Sequence, residues 1–161
     1  MRTKGVLVTL VLSALCFFPQ VSLADDDACG SATTTDDVIS TTTFDILVSC
    51  IVTLTAGHTH RCAATACADA AAPGGTNNDY RFVISTAAGG PGNDTAWERS
   101  VELNDNAGID DADSVPVCTT RFVTLGSGSV TFYWLARKEA AADANMTVLD
   151  SSLSVVCTDG I

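Results

Sequence analysis

The chain has 161 residues, with 8 Lys and Arg against 19 Asp and Glu, and its formal net charge is −11. This length suits one domain with a real hydrophobic core. The acidity excludes most nucleic-acid-binding proteins, which need clustered Lys and Arg to neutralise phosphates. Aspartate outnumbers glutamate 16 to 3 and Thr, Val and Ser are abundant, a composition that favours strands and turns over helices.

The first 24 residues have the pattern of a cleaved export signal. Arg2 and Lys4 precede an apolar run, Gly5–Phe18, that is short for a membrane span. We expect cleavage after Ala24, where small residues occupy the positions that a signal peptidase reads. This predicts a secreted, periplasmic or extracellular protein with no membrane attachment and a net charge of about −13. An uncleaved anchor and a lipoprotein attached at Cys16 are the alternatives.

Two further units follow the signal. Residues 25–37 are acidic and poor in apolar side chains, so they predict a flexible N-terminal arm. Residues 38–161 predict a single domain, because apolar and polar residues alternate there with a period of two. We expect an all-β fold, an antiparallel β-sandwich of about seven or eight strands with no ordinary helix. The strand segments are 44–54, 58–68, 80–85, 97–103, 115–124, 129–137 and 146–157.

The first of these segments is apolar on both sides, which is typical of a central strand. Its alternation assigns one face to Phe44, Ile46, Val48, Cys50, Val52 and Leu54.

The closing segments carry a resemblance to a known group. Residues 125–137, LGSGSVTFYWLAR, form a turn and an aromatic strand, and residues 145–156, NMTVLDSSLSVV, follow. This pair resembles the closing hairpin of small exported bacterial β-sandwich proteins of unknown function and, more distantly, of C1q/TNF-like jelly rolls. The resemblance implies a jelly-roll sandwich and a homotrimer, and it supplies no catalytic residues. The six cysteines after the signal depart from C1q/TNF-like domains.

These six cysteines predict a disulfide framework, because the chain is exported and the number is even. They are Cys29, Cys50, Cys62, Cys67, Cys118 and Cys157. Cys62 and Cys67 are an odd number of residues apart, so on one straight strand they face opposite sides. In the jelly roll that the resemblance implies, the first and last strands lie close together, and Cys62 with Cys157 is the preferred pair. The other pairings stay open.

His58 and His60 are a candidate transition-metal pair. On a strand, both rings of an H-x-H pattern point to the same side, which suits Zn²⁺ or Cu²⁺ if a third ligand approaches. A carboxylate from a loop is one candidate for that ligand. The alternative is a pair of edge or turn histidines with ordinary hydrogen bonds.

The acidic segment 104–113 is a candidate calcium loop, because Ca²⁺ binds six to eight oxygen ligands. Its spacing does not match an EF-hand. The alternative is a solvated loop whose Asx side chains stabilise turns. The candidate ligands are Asp105, Asp110, Asp111 and Asp113.

The sequence is compatible with three functions. The first is a non-catalytic binding or structural module at the cell exterior, because no G-x-S-x-G elbow or catalytic constellation is present. The second is a carbohydrate-binding module that uses Tyr133, with calcium as an optional aid. Trp97, Trp134 and Tyr80 are further candidates for its aromatic platform, but the two tryptophans fall on apolar faces and therefore predict core packing. The third is a small metal-dependent enzyme at the histidine pair.

Overall fold

The computed structural model describes residues 27–72, 78–91, 98–103 and 114–160. Across these ranges the chain forms nine strands and no helix. The strands are β1 (Asp27–Thr33), β2 (Asp37–Ile39), β3 (Asp45–Leu54), β4 (Thr59–Ala71), β5 (Asn78–Ser85), β6 (Arg99–Leu103), β7 (Val115–Leu125), β8 (Gly128–Lys138) and β9 (Met146–Gly160). Within the described ranges there is accordingly no helix of the length and hydropathy needed to cross a bilayer.

The strands pair as nested antiparallel partners. β1 and β2 pair with β9, β3 with β8, β4 with β7, and β5 with β6. This nesting is that of one long hairpin folded over on itself. Two further ladders, β4 with β9 and β5 with β8, complete the two sheets. Sheet I has the order β1-β9-β4-β7, with β2 also on β9, and sheet II has the order β3-β8-β5-β6. The result is a jelly-roll sandwich, which confirms the predicted all-β antiparallel fold.

The core lies between the two sheets and combines large with small side chains. Sheet II contributes the fully buried rings of Tyr80, Phe82, Phe132 and Trp134. Strand β4 of sheet I contributes a run of alternate alanines to the same cluster, at positions 64, 66, 68 and 70. Small residues opposite large ones let the two layers fill their shared space at native density. Each fully buried aromatic stabilises the fold by about 1.5–3 kcal/mol relative to an exposed one.

The sequence-based assignment of one strand face is wrong in its first half. A register shift lies between Ile46 and Val48 in the β3–β8 ladder. A bulge adds one residue to a strand and therefore reverses which side chains face inward. Ile46 is consequently exposed, whereas Leu47 and Val48 are both buried. From Val48 onward the predicted face is the core face.

The N-terminal segment also differs from expectation. Residues 25–37 were predicted as a flexible arm, but Asp27–Thr33 is strand β1 and pairs with β9 over its whole length. Its inward-facing Cys29 is bonded to Cys50 of β3. The composition does not predict this strand, because a strand is ordinarily stabilised by large apolar side chains. Here the ladder with β9 and a disulfide stabilise it instead.

The other two disulfides join directly opposed residues of neighbouring strands. Cys62 of β4 is bonded to Cys157 of β9, the pair preferred from the sequence. Cys67 of β4 is bonded to Cys118 of β7. The first bridge faces the core and the second lies on the outer face of sheet I. The core bridge spans 95 residues, and closing a loop of that size removes unfolded-state entropy worth about 4–5 kcal/mol.

Candidate functional site

The outer face of sheet I carries small and uncharged side chains. Register places Ala63 of β4 between Phe122 of β7 and Val156 of β9, and Val156 next to Ala28 of β1. These four residues form one apolar row across the sheet. The next two rows, read from β1 to β7, are Gly30, Ser154, Thr65 and Thr120, then Ala32, Ser152, Cys67 and Cys118.

Charged side chains bound this face at its two ends. Arg61 lies one row beyond the apolar row, with Thr124 and Thr158 as its register neighbours. At the opposite end, Asp69 and Asp150 are directly opposed. Between these ends, the described residues of the face carry no charge. This is a local exception on a chain whose net charge is −11.

A groove of about 580 Å³ runs over Ala63, and we call it the Ala63 groove. The methyl side chain of Ala63 leaves a depression between two larger neighbours. Phe122 and Val156 line that depression, with 71% and 44% of their surfaces exposed. Arg61 and its threonine neighbours line the same groove. Single exposed apolar residues are ordinary, but here an exposed phenyl ring borders a concavity.

The guanidinium of Arg61 makes no ion pair or side-chain hydrogen bond with any other described residue, and Arg61 is exposed. Two arginines of sheet II are held differently. Arg81 binds both carboxylate oxygens of Glu139, at 3.0 and 2.6 Å. Arg137 pairs with the nearly buried carboxylate of Glu98 at 3.3 Å. The groove therefore offers an available cation, whereas these two arginines are committed to the fold.

The outer face of sheet II is partly closed by its own side chains. The Arg81 side-chain hydrogen bond lowers the pKa of Glu139 and raises that of Arg81. The guanidinium of Arg137 lies 4.8 Å from the centre of the Phe44 ring, a cation–π contact. Leu135, which faces outward on β8, is fully buried. These contacts cover part of this face, whereas β3 keeps exposed isoleucines at positions 46 and 51.

The histidine pair lies at the end of the β4–β9 ladder, where Asp159 approaches both rings. The Nδ1 atom of His60 lies 3.0 Å from Asp159 Oδ1, and that of His58 lies 3.9 Å from Asp159 Oδ2. The short contact to His60 lacks hydrogen-bond alignment. His60 is fully buried, and its Nε2–H donates to the carbonyl of Thr55 at 3.0 Å.

This arrangement ties the β3–β4 turn to the last strand. A carboxylate does lie near both histidines, as the metal hypothesis requires, but Asp159 belongs to β9 and not to a loop. Among the described residues, no three His, Cys, Asp or Glu side chains are arranged to hold a metal ion. The buried ring of His60 is a structural contact between strands, and only His58 remains exposed.

The aromatic residues singled out from the sequence have different surroundings. Trp134 is fully buried, as the core-packing prediction states, and Tyr80 is fully buried as well. The Tyr80 hydroxyl donates to the carbonyl of Ala144 at 2.9 Å. Tyr133 is half-buried on the outer face of sheet II. Trp97 lies outside the described residues, as do Asp105, Asp110, Asp111 and Asp113 of the calcium hypothesis.

Phe122 is the groove residue that sequence reasoning did not select. The available signal was its position on β7, where it follows the parity of Thr120 and Thr124 and not that of Val117 and Val123. An aromatic residue on the polar side of a strand faces solvent.

Comparisons with known proteins do not assign a family. No family model matches the chain, and no curated protein matches it. Among solved structures, the chain is similar to part of the dimeric latent PorU from Porphyromonas gingivalis, with a TM-score of 0.46 and 10% identity. That match covers 86% of this chain and 14% of the other.

Proposed function

We propose that this protein is a non-catalytic binding module of the cell exterior and that it binds carbohydrate in the Ala63 groove. The observation that carries the proposal is the exposed ring of Phe122 beside a groove of about 580 Å³ on an uncharged face of an acidic chain. The three disulfides support a place in an oxidising compartment. Export through the signal-like residues 1–24 belongs to the same proposal.

The size of the face favours a small ligand over a second copy of the chain. Four strands spaced about 4.8 Å apart, and about eight residues of rise at about 3.3 Å each, enclose roughly 500 Å². A standard protein interface buries about 800 Å² on each partner. The flat area of the face is thus smaller than a standard interface, which favours a small ligand. The homotrimer implied by the resemblance remains a separate proposal, tested by light scattering.

The chemistry of the groove suits a sugar. The phenyl ring of Phe122 offers an apolar surface to the C–H face of a pyranose, as Trp and Tyr do at other interfaces. Thr124 and Thr158 line the groove with hydroxyls that can donate and accept hydrogen bonds. Because the groove is open, it suits a ligand that keeps many polar groups in water.

Glycan-array binding with the mature chain, in calcium and in EDTA, tests this proposal. We expect wild-type binding to at least one glycan and its loss in Phe122→Ala. The matched control is Ile51→Ala, which removes a similarly exposed apolar side chain, 62% against 71%, from β3 of sheet II. Absence of binding in both conditions would contradict the carbohydrate ligand. Equal binding by the wild type and Phe122→Ala would remove the groove from the proposal.

A further inference from the structure

We infer that the Ala63 groove selects a sugar that carries a carboxylate, and that Arg61 determines this specificity. The inference rests on the proposed function and names its ligand class. It concerns short acidic oligosaccharides built from uronic acids, in which the carboxylate replaces the hydroxymethyl group of a neutral hexose.

Arg61 lies at a distance from the apolar row that suits a bound sugar. Arg61 and Ala63 are two residues apart on β4, so both side chains face outward and their Cα atoms lie about 7 Å apart. The apolar row at Ala63 and the cationic row at Arg61 are thus separated by about the size of one pyranose ring. A sugar whose C–H face lies on Phe122 places a ring substituent within reach of the guanidinium.

The row that contains Arg61 can hydrogen-bond a carboxylate. Arg61 stands between Thr124 on β7 and Thr158 on β9. A guanidinium matches the two oxygens of a carboxylate, and flanking hydroxyls donate to the remaining lone pairs. No described carboxylate pairs with Arg61: Asp69 and Asp150 lie at the far end of the face, and Asp159, which follows Thr158 on β9, contacts the histidines instead.

The net charge of the chain limits which anionic sugars the groove can bind. The chain carries a net charge of −11, which repels densely charged polymers through the long-range field. One available guanidinium balances one carboxylate at short range, where screening by salt is least effective. The groove therefore fits a ligand that places one carboxylate beside the guanidinium, and a heavily sulfated chain is disfavoured.

Isothermal titration calorimetry on the mature chain tests the inference with three matched probes. Trigalacturonate carries the carboxylates, its methyl ester removes their charge at nearly constant shape, and galactotriose carries hydroxymethyl groups instead. We expect trigalacturonate to bind three- to tenfold more tightly than either neutral probe, a modest factor because the ion pair is solvent-exposed.

Variants separate specificity from binding. Arg61→Gln is expected to abolish the preference for the acid while it retains affinity for the neutral probes. Phe122→Ala is expected to weaken all three. Arg99→Gln removes an exposed arginine of sheet II and an equal charge, and it is expected to leave the preference intact. Circular dichroism confirms that each variant is folded.

The possible results separate the preference for an acidic sugar from carbohydrate binding itself. Equal binding of the acid and its methyl ester, or an acid preference that survives Arg61→Gln, would overturn the inference and leave carbohydrate binding in place. A loss of preference in Arg99→Gln equal to that in Arg61→Gln would also overturn it, because the effect would then come from net charge. Failure of every glycan to bind would remove the proposed function itself.

Discussion

Phe122 lies directly opposite Ala63 in the β4–β7 ladder, so an exposed phenyl ring stands next to a side chain of one methyl group. Cross-strand neighbours on one face have Cβ atoms about 5 Å apart. A large residue at position 63 would fill the space beside the ring. The groove therefore depends on a small residue in β4 as much as on the aromatic residue in β7.

This relationship predicts that Ala63→Leu blocks the groove without unfolding the protein. Residue 63 faces outward, and a leucine there gains contact with Phe122 and Val156, so we expect stability to change by less than about 1 kcal/mol. Glycan binding is expected to be lost. Urea denaturation measures stability and the glycan array measures binding. Thr65→Leu, one row away, is the matched control. Undiminished binding by Ala63→Leu would contradict a ligand seated over residue 63.

The three disulfides are expected to differ in their reduction by thiols. Cys118 is exposed on the outer face of sheet I, whereas Cys62 and Cys157 are buried. A thiolate must reach a sulfur to exchange with it, so the Cys67–Cys118 bridge should open first. Stepwise dithiothreitol treatment, alkylation and peptide mass spectrometry measure the order. First labelling of Cys62 and Cys157 would contradict the burial of that bridge.

Gly90→Ala is expected to destabilise the fold by about 1–3 kcal/mol. Gly90 has a φ of 90°, and a Cβ there would overlap the ring of Phe44. The left-handed backbone and the clash act together, because the loop that contains Gly90 passes against that ring. The neighbouring change Gly89→Ala meets no atom within 4 Å and is the control. Equal unfolding midpoints for the two variants would contradict this packing.

Tyr80 is expected to titrate with a pKa of about 12, raised first by burial of its hydroxyl and then by the charge of Asp143. In the unfolded chain this phenol ionises near the ordinary tyrosine pKa of 10.0. Its stabilising contribution is therefore complete below pH 10 and is lost as the pH rises towards 12. The chain has two tyrosines, so absorbance titration of Tyr133→Phe isolates Tyr80. A midpoint near 10 in the folded protein would contradict its burial.

Much of the sandwich was predictable because strand periodicity is a local property. Alternation along residues 146–157 assigned five residues to one side, and four of them are buried: Ser151, Leu153, Val155 and Cys157. The fifth, Leu149, is half-buried, and a register shift in the β4–β9 ladder places Val148 in the core instead. Periodicity gave wrong assignments where pairing with a distant strand decides the structure. The bulge after Ile46 reversed one face, and strand β1 is held by β9 and a disulfide despite its polar sequence.

The groove was predictable only in part. An aromatic residue at the outward parity of β7 was visible in the sequence, whereas its neighbours on β4 and β9 were not. Ala63 and Val156 are 93 positions apart, and register alone brings them into one row with Phe122. Asp159 approached the histidines for the same reason, since it is the register partner of His60.

The sequence by itself determined the acidic charge, the export-like leader, the cysteine number and the alternation of strands, because each follows from residue identity or from spacing of a few positions. Tertiary structure decided which cysteines bond, which parts of the two outer faces stay open and which of the described arginines pair with carboxylates. Those outcomes depend on contacts between residues distant in the chain, where the free energy of pairing and burial outweighs local preference.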